Sequence, residues 1–141
     1  MAWLELHQVS ALLYGALSRR LEVEAGMTAA EHDVLWYLAN VPARRARMSD
    51  IADRLQMTRS GITRLVDRLE KRSWITRESP RDDRRTTYAV LTAAGTQALR
   101  CSVRAVGSVR PGLFDDRLSD QEVADLRRVL GKLLRRLDIV G

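Results

Sequence analysis

Within TRSGITRLVDRLEKRSWI, residues 58–75, Ser60, Thr63 and Arg64 set two hydroxyls and a guanidinium at helical spacing. The same stretch carries Ile62, Leu65, Val66 and Leu69 at the i, i+3, i+4, i+7 positions of a core-facing stripe. At about 100° per residue, Ser60, Arg64, Asp67 and Lys71 fall opposite that stripe, and Thr63 lies between the two faces. Short polar donors beside a guanidinium suit the edges of bases in a major groove, where an arginine offers two donors to guanine O6 and N7. Downstream, residues 74–78 and 86–91 both alternate as strands do, and Ser79-Pro80-Arg81-Asp82-Asp83-Arg84-Arg85 lies between them. An arginine-rich hairpin tip can enter a minor groove, whose narrow A·T tracts concentrate negative potential.

The preceding residues supply the element that would position this helix. Ser49 is a good N-cap for a short helix that turns Ile51, Ala52 and Leu55 to one side. Gln56 and Met57 then form a turn, and Thr58 caps the longer helix. Helix, tight turn, helix and hairpin together predict a winged helix-turn-helix. In it Ser60, Thr63 and Arg64 would read bases. Ser49, Thr58 and Arg68 would bind phosphate, which sets register without reading sequence. Arg59 falls toward the core side and suits either a phosphate or a neighbouring carboxylate. Asp67 is expected to pair with Lys71 at i+4. In the hairpin, any of the three arginines could reach a minor groove, and Arg84 suits a phosphate contact.

Charge supports the same region. The 141 residues carry a formal charge of +6, and residues 44–85 hold 13 Lys/Arg against 7 Asp/Glu. The remainder balances, so the whole excess sits on the segment expected to meet DNA.

The flanks are helical. Residues 3–22 place Trp3, Leu6, Leu13, Leu17 and Leu21 near helical spacing, and Gly26 follows as a stop. Thr28-Ala-Ala-Glu31 is a capping box that opens a helix to about Asn40, with Pro42 beyond it. The basic linker at residues 43–47 reads either as a phosphate contact or as a solvated loop. A long helix from Thr92 toward Val109 is expected to break at Pro111-Gly112. Ser119-Asp-Gln-Glu122 is a second capping box, and the last helix aligns Val123, Leu126, Leu130, Leu133, Leu134 and Leu137. The apolar stripes of the first and last helices need a partner, and a second copy is the simplest. Two copies would set two recognition helices one DNA turn apart on a palindrome.

These features resemble the MarR family of transcriptional regulators over essentially the whole chain. The residues that carry the resemblance are the 49–55 helix, residues 58–75, and Asp83-x-Arg85 followed by Leu91-Thr92. It implies a mainly α fold with a small β-wing, a winged helix-turn-helix flanked by N- and C-terminal dimerisation helices. The chain would be one domain, with residues 28–92 binding DNA and residues 1–25 and 93–141 making the dimer. In the family the wing arginine enters the minor groove and the aspartate two residues earlier orients it, positions matched here by Arg85 and Asp83. The resemblance further implies a repressor that binds double-stranded DNA as a homodimer and is relieved by a small organic ligand.

Trp3, His7, Tyr14 and Trp36 are the residues that could line an effector space. A buried imidazole and phenol there would orient an aromatic or phenolic ligand; core and interface packing is the other reading of the same four. Thiol redox sensing would depend on Cys101, the one cysteine. Oxidation-sensing family members carry theirs near the N-terminal helix, so a structural cysteine is expected here. His7 and His32 show no metal-ligand spacing, even with Glu31 or Asp33 added, and no cofactor is expected. No nucleophile elbow or phosphate-cradling glycine loop points to an enzyme. No leader or membrane span is recognisable, which reads as cytoplasmic. A winged helix used only to bind protein is the alternative of a different class.

Overall fold

The computed structural model describes residues 1–83 and 85–140, with side chains through residue 135. Six helices, α1 (Ala2–Ala25), α2 (Ala29–Asn40), α3 (Met48–Arg54), α4 (Arg59–Lys71), α5 (Ala93–Leu113) and α6 (Asp120–Val140), accompany three strands, β1 (Arg45–Arg47), β2 (Ile75–Glu78) and β3 (Tyr88–Leu91). The chain divides into two compact units, Met1–Val106 and Gly107–Gly141.

In the first unit α4 packs its stripe inward: Ile62, Leu65, Val66 and Leu69 are all buried. They meet Ile51 and Ala52 from α3, Val34, Leu35 and Leu38 from α2, and Ile75, Ala89 and Leu91 from the sheet. Full burial of one such side chain is worth about 1.5–3 kcal/mol. Several caps follow the sequence. Gly26 ends α1 in the left-handed conformation (φ 60°), which glycine adopts without a Cβ penalty. Thr28 and Glu31 form the reciprocal capping box of α2, and the Thr58 hydroxyl accepts from the Gly61 N–H. In the second unit, Ser119 and Glu122 form the box before α6.

Four expectations need correction. Residues 45–47 are not a loop: β1 pairs antiparallel with β3, giving the strand order β1-β3-β2. Only Ala46 of β1 is buried, so the strand exists through its ladder with β3 rather than through any apolar pattern of its own. Ser49 is not an N-cap, because β1 runs straight into α3 and the Met48 N–H donates to the Thr87 carbonyl at 3.1 Å. The wing strands begin at Ile75 and Tyr88, later than expected. Finally, α5 continues through Pro111 to Leu113. Pro111 lies in the last turn, where it forfeits one helical bond, and the residue four earlier is Gly107, with open space about its Cα.

The start of α5 is docked on the turn into β2. The Thr92 hydroxyl donates to the Ser73 carbonyl (2.7 Å) and accepts from the Gly95 N–H (3.0 Å). A Cβ on Gly95 would stand 2.1 Å from the Trp74 carbonyl oxygen, a backbone atom that cannot swing aside. Gly95→Ala should therefore lower stability by about 1–3 kcal/mol, read as a lower denaturant midpoint. An unchanged midpoint would show that the helix start shifts freely.

Candidate nucleic-acid interface

The first turn of α3, the N-terminal half of α4 and the wing enclose an open cleft of about 530 Å³. Arg47, Ser49, Arg59, Thr63, Arg77 and Arg85 line it, so four arginines border one concavity. Arg47 donates to the Tyr88 hydroxyl at 3.4 Å. Arg59 is exposed and, among the described residues, has no carboxylate partner, which corrects its expected core-side placement. Ser60, Thr63 and Arg64 are exposed along the outer face of α4 as the periodicity requires. The Thr63 hydroxyl donates to the Arg59 carbonyl at 2.8 Å, leaving its lone pairs and methyl group for an incoming partner.

The wing is pinned by Asp83. Its carboxylate accepts from the Thr86 hydroxyl and from the Arg85 backbone N–H, the latter at 3.0 Å. These hydrogen bonds, the Thr86 one first, hold the Asp83 carboxyl below the usual carboxylate range. Asp83 thus fixes the backbone from which Arg85 projects. Arg84 lies outside the described residues.

Two expected pairings are replaced. Asp67 pairs with Arg77 at 2.7 Å rather than with Lys71, because β2 brings a forked guanidinium over the helix face. Arg68, expected on phosphate, reaches back to Glu31 at 3.5 Å. Glu31 is 5% exposed and also meets Arg72 at 3.5 Å, and Arg72 in turn stacks over the Trp74 ring at 3.6 Å. A charge so buried requires partners, and Arg68 of α4 and Arg72 just beyond its end supply them. Neither Arg72 nor Arg77 was singled out from the sequence. The one signal for Arg77 was the Asp67/Glu70 pair at i, i+3, which leaves two carboxylates on an otherwise basic face.

The four aromatic and imidazole candidates are all exposed in the single chain. Trp3 is 76% exposed, Tyr14 54% and Trp36 51%, and His7 is also exposed, so the buried imidazole and phenol are absent from the single chain. Trp36 stacks on His32 with ring centroids 6.3 Å apart. Cys101 is exposed. Among the described residues no group of His, Cys, Asp or Glu could hold a metal ion, and no helix is long and apolar enough to cross a membrane.

Comparison with known proteins decides the family. A model described as "MarR family" matches residues 25–86. A putative transcriptional regulatory protein for the hcr operon of Thauera aromatica is 31% identical over 84% of this chain and 70% of its own length. The chain belongs to the MarR family. The transcriptional repressor MprA of Escherichia coli K12 is 36% identical over 64% of the chain, which spans about half (51%) of that relative. The MarR-family regulator Sco3205 of Streptomyces coelicolor, solved in complex with DNA, superposes with a TM-score of 0.88 at 31% identity, covering 96% of this chain and 88% of that one. MarR-family proteins are transcriptional regulators and not enzymes, and the mainly α fold with a three-stranded antiparallel wing sheet is theirs.

One titratable link joins α2 to α5 in this MarR-family fold. Ser102 is fully buried and donates to the Leu99 carbonyl at 2.8 Å, so it accepts from His32 Nδ1 at 2.9 Å. Burial pushes the His32 imidazole below its ordinary value of 6.5, and the neighbouring Asp33 opposes that shift. A depressed histidine is neutral in the folded state, so stability is complete above about pH 6.5 and declines as pH falls through the folded value. Asp33, raised by burial, acts with the opposite sign in a more acid window. Denaturation midpoints measured between pH 8 and 5.5 should fall for the native chain and stay flatter in His32→Asn. Equal slopes would place the titration elsewhere.

Proposed function

We propose that the protein is a sequence-specific DNA-binding repressor that acts as a homodimer on a palindromic operator and is released by a small aromatic or phenolic ligand. The observation that carries the reading is the arginine cleft between α4 and the wing. It sets Arg59 and Arg85, neither paired with a carboxylate among the described residues, beside the exposed Ser60–Thr63–Arg64 face. In this reading Arg64, Ser60 and Thr63 meet base edges in the major groove, and Arg85 enters the minor groove. Ser49, Thr58 and Arg59 take phosphates, as would Arg84. Arg68 serves the fold through Glu31 and contributes at most a peripheral phosphate contact. The DNA complex of Sco3205, 31% identical, supports transfer of the binding mode.

Dimer formation rests on the apolar surface the single chain leaves open. On α1, Trp3, Leu4, Val9, Leu12 and Tyr14 are exposed, as are Val129, Leu133 and Leu134 on α6. Apolar side chains left open on terminal helices support a second copy as their cover. Sedimentation should give a dimer at micromolar concentration, and truncation before Ser119 should give monomers that bind DNA poorly. A dimer surviving the truncation would place the interface elsewhere.

The direct test is capture from random duplex DNA, with Arg85→Ala and Arg64→Ala in parallel. The native chain should recover one palindrome with affinity that falls steeply with salt, through counterion release. Arg85→Ala should weaken that recovery. Arg64→Ala should relax sequence preference and cost on the order of 1–3 kcal/mol at the cognate site. No recovery at low salt would favour a protein-binding winged helix instead.

A further inference from the structure

Of the four arginines bordering the cleft, Arg77 is already committed. From β2 it reaches Asp67 at 2.7 Å and Glu70 at 3.1 Å, and it donates to the Thr63 carbonyl at 3.3 Å. All three acceptors lie on α4, spread over two turns of the helix that the proposed function places in the major groove. Asp67 and Glu70 side chains are 45% and 42% exposed, while Arg77 is 28% exposed. Without Arg77, two carboxylates would face the phosphates flanking the groove, and like charges at that range oppose association. An arginine is suited to the task, since its planar fork serves two carboxylates and a carbonyl together, whereas a lysine offers a single ammonium.

We propose that Arg77 is a positioning residue for DNA binding that masks Asp67 and Glu70 on the recognition helix, and is not itself a phosphate ligand. The inference rests on the DNA-binding reading and concerns a residue outside the base- and phosphate-contacting set assigned above. It also accounts for acidic side chains on a helix face that must approach DNA: one guanidinium offsets half their charge within the fold and ties the helix to the wing.

The test compares four full-length proteins on the captured operator over a range of salt: native, Arg77→Met, Arg77→Met with Asp67→Asn and Glu70→Gln, and Arg59→Ala. Arg77→Met should weaken binding on the order of tenfold at low salt, and by less as salt screens the exposed carboxylates. Neutralising both carboxylates in that background should recover most of the loss, an outcome that neither a general structural role nor a direct contact gives. Arg59→Ala, a phosphate contact, should reduce the slope by about 0.9 and serves as the reference. A reduced slope in Arg77→Met with no recovery would make Arg77 a phosphate ligand and overturn the inference. Native slope with no recovery would make it a mechanical clamp and overturn it too. Should Arg77→Met fail to fold, Arg77→Gln replaces it: a loss recovered by adding Asp67→Asn and Glu70→Gln supports masking, and native affinity opposes it. Absence of binding by the native protein removes the DNA-binding reading and this inference together, whereas native binding with unmasked variants unaffected removes the inference alone.

Discussion

Rotation of α4 about its own axis is the constraint on which the outer surface depends. Ile62, Leu65, Val66 and Leu69 lock that rotation by burying against α2, α3 and the sheet. A helix has one angular degree of freedom once its axis is placed, and four close-packed apolar side chains remove it. Ser60, Thr63 and Arg64 face outward as a result, with no interaction of their own needed to aim them. The division between core and reading surface is therefore made by hydrophobic residues, and the polar ones inherit their direction.

Ion pairs then adjust what the packing leaves. Glu31 closes the N-terminus of α2 and, in the same position, meets Arg68 and Arg72 at the far end of α4. Arg77 performs the corresponding task on the opposite, outer face. Both clusters join elements distant in sequence, and both consume arginines that would otherwise add to the basic surface. The +6 charge of the chain thus overstates the number of guanidiniums open to a polyanion.

This division also explains what could be read in the sequence. The helices, the Thr28, Thr58 and Ser119 caps, the Gly26 stop and the α4 stripe are local, and local periodicity reports them. Strand β1 could not be read, because Arg-Ala-Arg is a strand only by virtue of β3 more than forty residues away. Asp67 was assigned to Lys71 and Arg68 to phosphate for the same reason. The true partners, Arg77 and Glu31, come from other elements, and spacing along one helix is silent about them. Burial of the aromatic candidates on α1 failed differently: an apolar stripe in sequence shows that a face wants covering, and a single chain leaves that face open.

The wing turn bears on kinetics. Asp83 holds the Arg85 N–H and the Thr86 hydroxyl once the chain folds. A partner that engages Arg85 then meets a backbone N–H already held, and the entropic cost at encounter is smaller. Such pre-ordering lengthens the lifetime of a complex more than it speeds its formation, since release returns less conformational freedom to the chain. A short acidic side chain at the edge of a basic surface would in this way set a residence time.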